Sequence, residues 1–128
     1  MGRIIAQVRI TNPLDPAGKI DCAALVDAGE GPIKLPSAWR ERLGKLGSSR
    51  QRDFEVAAQR TVAGAVCGPV EIQIEAFQPV FNAVVFLDMQ PQDGQYEPLL
   101  GYLILEQSLV AVDRVGHRLV PIKHGDLK

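Results

Sequence analysis

Apolar and polar residues alternate over two stretches of the chain, and this period of two predicts half-buried strands. Between residues 3 and 10 every even-numbered position is apolar, while Gln7 and Arg9 lie on the opposite side of an extended chain. Between residues 70 and 76 the even-numbered positions are again apolar and alternate with glutamate and glutamine. The second stretch is the clearest amphipathic strand in the sequence.

Continuous apolar runs predict strands that are buried on both faces. One nearly continuous run covers residues 20–26, interrupted by Asp21, and another covers residues 81–87, interrupted by Asn82. The first run follows a segment rich in proline and glycine, so residues 3–26 are predicted to form a hairpin with a long loop. Residues 110–121 are predicted to form a terminal hairpin that turns at Gly116.

Two segments are predicted to be short helices. Ser37 is a suitable N-cap residue, and Trp39, Leu43 and Leu46 then fall on one face of a helix. For the apolar block at residues 102–109, periodicity does not separate helix from strand. Its length and its leucine and glutamate content favour a short helix.

The remaining pattern completes the predicted fold class. The polar stretch at residues 48–53 is interpreted as a connection, and a period of two returns from Phe54. About seven short strands with one or two short helices predict a mostly-β fold, either a closed barrel or a sandwich.

Length and charge narrow the class of protein. The chain has 128 residues and fits one domain covering residues 1–128. A net charge of −1 without a long basic run argues against a nucleic-acid partner held through its phosphates. No stretch approaches the ~20 apolar residues of a membrane span, and no signal peptide is visible. We therefore expect a cytoplasmic protein with no membrane partner.

The cysteines and histidines carry little functional signal. Cys22 and Cys67 lie far apart in the sequence, and His117 and His124 do not join them in a metal-ligand pattern. We therefore expect two free thiols, no metal and no cofactor. Cys67 is better explained as a packed thiol than as a nucleophile, and His117 as an exposed turn residue.

Asp27 is the most informative single residue. It follows the apolar run at residues 23–26 and precedes Gly29 and Gly31, which permit backbone conformations closed to other residues. An isolated Asp-x-Gly is expected by chance at this composition, and most such acids end a strand and accept backbone N–H bonds. The apolar setting desolvates the carboxylate, however, and no other acid of the chain has a comparable setting.

A carboxylate pair built on Asp27 requires a second copy of the chain. A twofold axis through the site would set Asp27 against the same residue of the other subunit. Two carboxylates in contact share one proton, so one takes a proton from water while the other donates a hydrogen bond to a carbonyl. Such a pair is equipped for amide hydrolysis.

Three segments in order resemble the retropepsin-like (retroviral-type) aspartic protease family, most closely its short bacterial members. ALVDAGEGPIKLP, residues 24–36, resembles the active-site segment, in which an apolar run precedes Asp-Thr/Ser-Gly. PLLGYLILEQSLVAVDRVGHRLVP, residues 98–121, resembles the second signature, in which an apolar pair and a glycine precede a short helix and a terminal strand. Residues 54–76 lie where the family has its flap hairpin, with Gly64 or Gly68 expected near the tip.

The resemblance implies a closed β-barrel, a homodimer, a peptide or protein substrate, and one catalytic aspartate per subunit. That aspartate is Asp27, in an active-site loop with Ala28 and Gly29, and residues 99–101 would pack behind the loop. Ala28 stands where the family usually has a Thr or Ser hydroxyl that bonds across the dimer axis, and Glu30 stands where a small residue is usual. The resemblance therefore implies a homodimeric aspartic endopeptidase. The departures bear on activity more than on fold, so the alternative is a catalytically inactive dimerisation or peptide-binding module of the same fold.

Overall fold

The computed structural model describes residues 3–27, 31–56 and 59–122. Most of this chain is in strands, which are β1 (Ile5–Asn12), β2 (Asp15–Val26), β3 (Ile33–Pro36), β4 (Ser48–Val56), β5 (Arg60–Ile74), β6 (Val80–Leu87), β7 (Leu99–Leu100), β8 (Val110–Asp113) and β9 (Arg118–Pro121). A 3-10 turn at Ser37–Trp39 leads into the helix α1 (Arg40–Leu43), and the helix α2 (Tyr102–Gln107) precedes β8.

Seven strands form one sheet whose pairings return to its first strand. The order is β1-β2-β7-β3-β6-β5-β4, and β1 also pairs with β5. Six strands therefore make a ring of pairings, as in a barrel, and β4 continues outward from β5. β8 and β9 pair with each other in a separate two-stranded sheet. The structure confirms the expected mostly-β architecture with two short helices.

The core lies inside the ring and follows the alternation read from the sequence. β1 and β5 pair antiparallel, with Val8 opposite Ile74 and Ile10 opposite Ile72. The buried residues of these two strands include Ala6, Val8, Ile10, Val70, Ile72 and Ile74. Ile104 and Leu105 of α2 join the same cluster. Each of the valine, isoleucine and leucine side chains among them stabilises the fold by about 1.5–3 kcal/mol through burial.

Asn12 is a buried polar residue that ties the first hairpin to α1. Its side-chain amide donates to the carbonyl oxygens of Leu43, at 2.8 Å, and Lys45, at 2.9 Å. Its side-chain oxygen accepts from the backbone N–H of Leu14 at 2.9 Å. These bonds satisfy the amide in a place where an unpaired polar group is costly.

The start of β4 was not expected from the sequence, and the reason is physical. Residues 48–53, expected to be a connection, form most of β4 and are exposed, so no buried face imposes a period of two on them. The first helix ends at Leu43, where Gly44 adopts a positive φ of 77°, and the glycines at positions 44 and 47 predict such an early end. The helix predicted at residues 102–109 and the terminal hairpin are both confirmed.

Candidate active site

Asp27 lies at the carboxyl end of β2, where the last residues of that strand run parallel to β7. Leu25 is opposite Leu99, and Val26 is opposite Leu100. The backbone N–H of Asp27 donates to the carbonyl oxygen of Leu100 at 3.0 Å. The aspartate, which is half-buried, therefore sits at a position fixed by a strand from the far end of the chain.

Two further backbone bonds hold the same strand end. The N–H of Leu25 donates to the carbonyl oxygen of Pro98, and the N–H of Val26 donates to that of Ile4, each at 2.9 Å. The end of β2, just before Asp27, is thus hydrogen-bonded on one side to the start of the chain and on the other to the segment that enters β7. This double attachment orders the backbone up to the aspartate.

Gly101 explains why a glycine follows the apolar pair. A Cβ on this residue would collide with the carbonyl oxygen of Gly31 and lie 3.0 Å from that of Pro32. The backbone of Gly101 has an ordinary φ of −80°, so the requirement for glycine is steric. Residues 99–101 therefore pack directly against the segment that follows the active-site loop.

Part of the predicted site lies outside the described residues. Ala28, Gly29 and Glu30 belong to that part, as do Ala57 and Ala58. The expectations for the active-site loop therefore stay predictions. So does the expectation of a frayed tail at residues 123–128, which also lies outside.

The flap glycines do not lie where the sequence suggested. The hairpin predicted within residues 54–76 is formed by β4 and β5, and its last pair before the turn is Val56 with Arg60. Gly64 is opposite Arg52 and Gly68 is opposite Ser48, so both lie within β5, away from the tip. Glycine is typical of turns, but here it occupies positions of close packing. A Cβ on Gly68, for example, would lie 3.1 Å from the Cα of Ala83.

A cavity of about 780 Å³ opens beside β7. One wall is the start of β5 at residues 60–63, and another is formed by Leu87 and much of the loop between β6 and β7. Leu99 lines it as well, and this residue pairs with the strand that ends at Asp27. The cavity therefore borders the strand that pairs with the end of β2.

The loop between β6 and β7 is fixed at several points. Tyr96 meets the ring of Trp39 edge-on, with centroids 6.0 Å apart. Arg3 forms an ion pair with Glu97 at the edge of the cavity. The sequence predicts residues 90–98 as a polar loop, but a polar segment without periodicity carries no signal that it lines a cavity. Trp39, which lies on the face of the first predicted helix and is therefore expected in the core, is partly buried and packs against the edge of the core.

The remaining candidates form no second site. Cys67 is buried, and its thiol lies 3.5 Å from the hydroxyl of Ser49. Burial raises the pKa of Cys22 to about 11, which keeps this thiol protonated and unreactive near neutral pH. His117 lies exposed in the turn between β8 and β9. Within the described residues, no three His, Cys, Asp or Glu side chains come together as a metal site.

Helices in the described part of the chain are all too short or too polar to cross a membrane.

Comparisons with known proteins support the fold. No family model matches the chain, and no curated protein matches it. Among solved structures it is similar to a retroviral protease, the EIAV protease complexed with the inhibitor HBY-793. The two share 20% sequence identity with a TM-score of 0.59, over 83% of this chain and 88% of that one. The described chain thus has the retropepsin-like fold.

Proposed function

We propose that the protein is a homodimeric aspartic endopeptidase in which Asp27 of each subunit activates a water for peptide-bond hydrolysis. The observation that carries this proposal is the setting of Asp27. It follows β2 directly, its N–H is bonded to Leu100, and a large cavity opens beside the neighbouring strand. The similarity to the fold of a retroviral protease supports the same reading.

The chemistry needs two carboxyl groups, and a second copy of the chain supplies the other one. The ionised Asp27 takes a proton from water while the water oxygen bonds to the peptide carbonyl carbon. The protonated Asp27 of the other subunit donates its proton to the carbonyl oxygen. A proton then passes to the amide nitrogen, the C–N bond breaks, and the products are a carboxylic acid and an amine.

The cavity and the β4–β5 hairpin give the peptide a place to bind. The start of β5 forms one wall of the cavity, and the loop before β7 forms another. An extended peptide held between them would run past the end of β2. Closure of such a hairpin over a substrate excludes water from the reaction.

A catalytically inactive module is the second candidate, and two residues favour it. Ala28 lacks the hydroxyl that the resemblance leads one to expect, and such a hydrogen bond contributes roughly 0.5–1.5 kcal/mol. Glu30 adds a charge close to Asp27 in sequence. Such a protein would form dimers or bind peptides without cleaving them.

Replacing the aspartate separates the two candidates. We expect the wild-type protein to cleave a diverse peptide mixture between about pH 4 and 7 and Asp27→Asn to lose at least about a hundredfold in rate, because general acid–base catalysis is removed. Mass spectrometry of the products measures both. Asp21→Asn, an exposed acid on the same strand, is the matched control and keeps the activity.

A second experiment tests whether the two subunits share one active site. Mixing wild-type protein with an excess of Asp27→Asn should suppress cleavage, because mixed dimers hold a single aspartate. Absence of cleavage by a wild-type protein that sediments as a dimer would favour the inactive module. A protein that stays monomeric at high concentration would contradict the shared site.

A further inference from the structure

The outer part of the β4–β5 hairpin has little to hold it. β4 is the last strand in the sheet order, next to β5. In that outer part residues 53–56 of β4 pair with residues 60–63 of β5, and β6 no longer runs alongside them because its last residue, Leu87, is opposite Gly64. The exposed residues there are Asp53, Glu55, Arg60, Thr61 and Ala63. A two-stranded ribbon without a packed face is marginal in water. Its position over the cavity therefore depends on the few side chains that do pack.

Those side chains meet over Gly64. A Cβ on Gly64 would lie 2.8 Å from Cδ2 of Leu87 and 2.9 Å from both Cδ1 and Cε1 of Phe54. The ring of Phe54 and the side chain of Leu87 thus already occupy the space above the glycine. Gly64 lies within a regular strand, so the demand for glycine is one of room and not of backbone conformation.

Strand pairing brings the three residues together. Gly64 is opposite Arg52 on β4 and opposite Leu87 on β6. Phe54 lies diagonally across from the glycine, a placement in which an aromatic ring covers the bare backbone of a neighbouring strand. The guanidinium of Arg52 lies 5.4 Å from the centre of the same ring and restrains it further.

The same cluster borders the cavity. Leu87 lines it, and so do Val62 and Ala63 on the arm of β5 just before Gly64. The backbone N–H of Asp88 also bonds to the carbonyl oxygen of Ala63, at 3.3 Å. Leu87 therefore belongs both to the cluster at Gly64, which holds the hairpin, and to the cavity wall that a bound peptide would contact.

We propose that Phe54, Gly64 and Leu87 form an aromatic latch that holds the β4–β5 hairpin as a wall of the cavity. Gly64 is then a positioning residue, because its missing side chain lets the Phe54 ring reach Leu87. Asp27 is held separately, by β7. Loosening the latch weakens peptide binding and leaves the chemical step unchanged, a consequence that rests on the proposed function.

Hydrogen exchange tests the aromatic latch without any ligand. In Gly64→Ala we expect the amides of residues 52–62 to exchange about tenfold faster, since overpacking displaces the ring. The β1–β2 hairpin should keep its protection. Gly47→Ala is the matched control, because its new methyl would lie 3.7 Å from the carbonyl oxygen of Gly68, an ordinary contact.

A double variant tests whether the ring is the group displaced. Phe54→Leu alone should also speed exchange in the hairpin. Adding Gly64→Ala to it should speed exchange by less than in the wild-type protein, because only the contact with Leu87 stays crowded. Additive effects would overturn the aromatic latch. So would unchanged exchange in Gly64→Ala, or a loss of protection that spreads equally through β1 and β2.

The catalytic consequence is read from a peptide that the wild-type protein cleaves. Gly64→Ala should raise KM several-fold and leave kcat near the wild-type value, because only binding depends on the hairpin wall. A fall in kcat at constant KM would contradict the positioning role. If the wild-type protein cleaves nothing, the proposed function fails, and the exchange measurements still decide the latch.

Discussion

Two antiparallel hairpins of the same sheet, β1–β2 and β4–β5, differ in what covers them. In β1 every second residue is buried, and the strand pairs on both sides, with β2 and with β5. β4 lies at the end of the sheet order, and its residues 48–53 are exposed. The first hairpin therefore has a buried face and a further strand beside β1, whereas β4 of the second hairpin pairs with β5 alone. The first hairpin ends just before Asp27, and the second forms part of the cavity wall. Under the proposed function, the aspartate and the wall that contacts the peptide therefore come from different hairpins.

The largest expected effect probes the covered hairpin. Ile10→Ala should lower the free energy of unfolding by about 2–5 kcal/mol, because Ile10 is fully buried and its loss leaves a cavity. Ile5 is the matched control, since it lies on the opposite face of β1 and is 47% exposed. Ile5→Ala should change stability by less than about 0.5 kcal/mol. Urea unfolding measures both, and equal losses would contradict the assigned faces.

A smaller effect is expected at the turn end of the same hairpin. Asn12→Ala should cost about 1–3 kcal/mol, because it removes the donor to two carbonyl oxygens in a buried place. Exchange should also quicken around Leu43. For comparison, Asn82→Ala removes a bond to Gln107 at an exposed position and should cost less. A larger loss of unfolding free energy in Asn82→Ala than in Asn12→Ala would contradict the importance assigned to the hydrogen bonds between Asn12 and the end of α1.

The smallest effect concerns a surface pair across β1 and β2. Arg9 is directly opposite Asp21, and its Nε donates to Oδ1 at 2.7 Å. This hydrogen bond lowers the pKa of Asp21 in the folded protein. The stabilisation is present above the pKa of the unfolded chain and is lost as the pH falls through the lowered value.

Asp21→Asn should therefore flatten the acid side of the stability profile, measured by urea unfolding at several pH values. Because both groups are exposed, the difference should shrink in high salt. If the unfolding free energy of the variant falls with decreasing pH as steeply as that of the wild-type protein, other carboxylates cause the acid dependence.

The sequence predicted the two hairpins unequally, for a physical reason. β1 has one buried face, and the alternation of Ala6, Val8 and Ile10 records it. Residues 48–53 have no buried face, so no pattern distinguishes them from a loop. The family resemblance places Gly64 near the tip of the flap hairpin, but in the structure it lies within β5, and a Cβ there would crowd the ring of Phe54. That contact between strands is encoded by no local pattern.

The candidate site was predictable only in part. Asp27 was identified from the apolar run before it and from the family resemblance, and it lies at the end of a strand as expected. Its bond to Leu100 and the wall formed by the loop before β7 depend on pairing between distant segments. Periodicity reports only the local burial of a strand, so it cannot identify its neighbours.

The end of β2 is held by residues that a ribosome produces much later. Chains emerge with the N-terminus first, so β1 and β2 can pair while residues 98–100 are still unmade. Until then, the N–H of Asp27 lacks the carbonyl oxygen of Leu100 that accepts its bond. A nascent chain, or one truncated before residue 98, thus contains the aspartate but lacks the strand that positions its backbone. If the proposed function holds, each new subunit lacks the bond that positions the backbone of its aspartate until residues 98–100 have been synthesised.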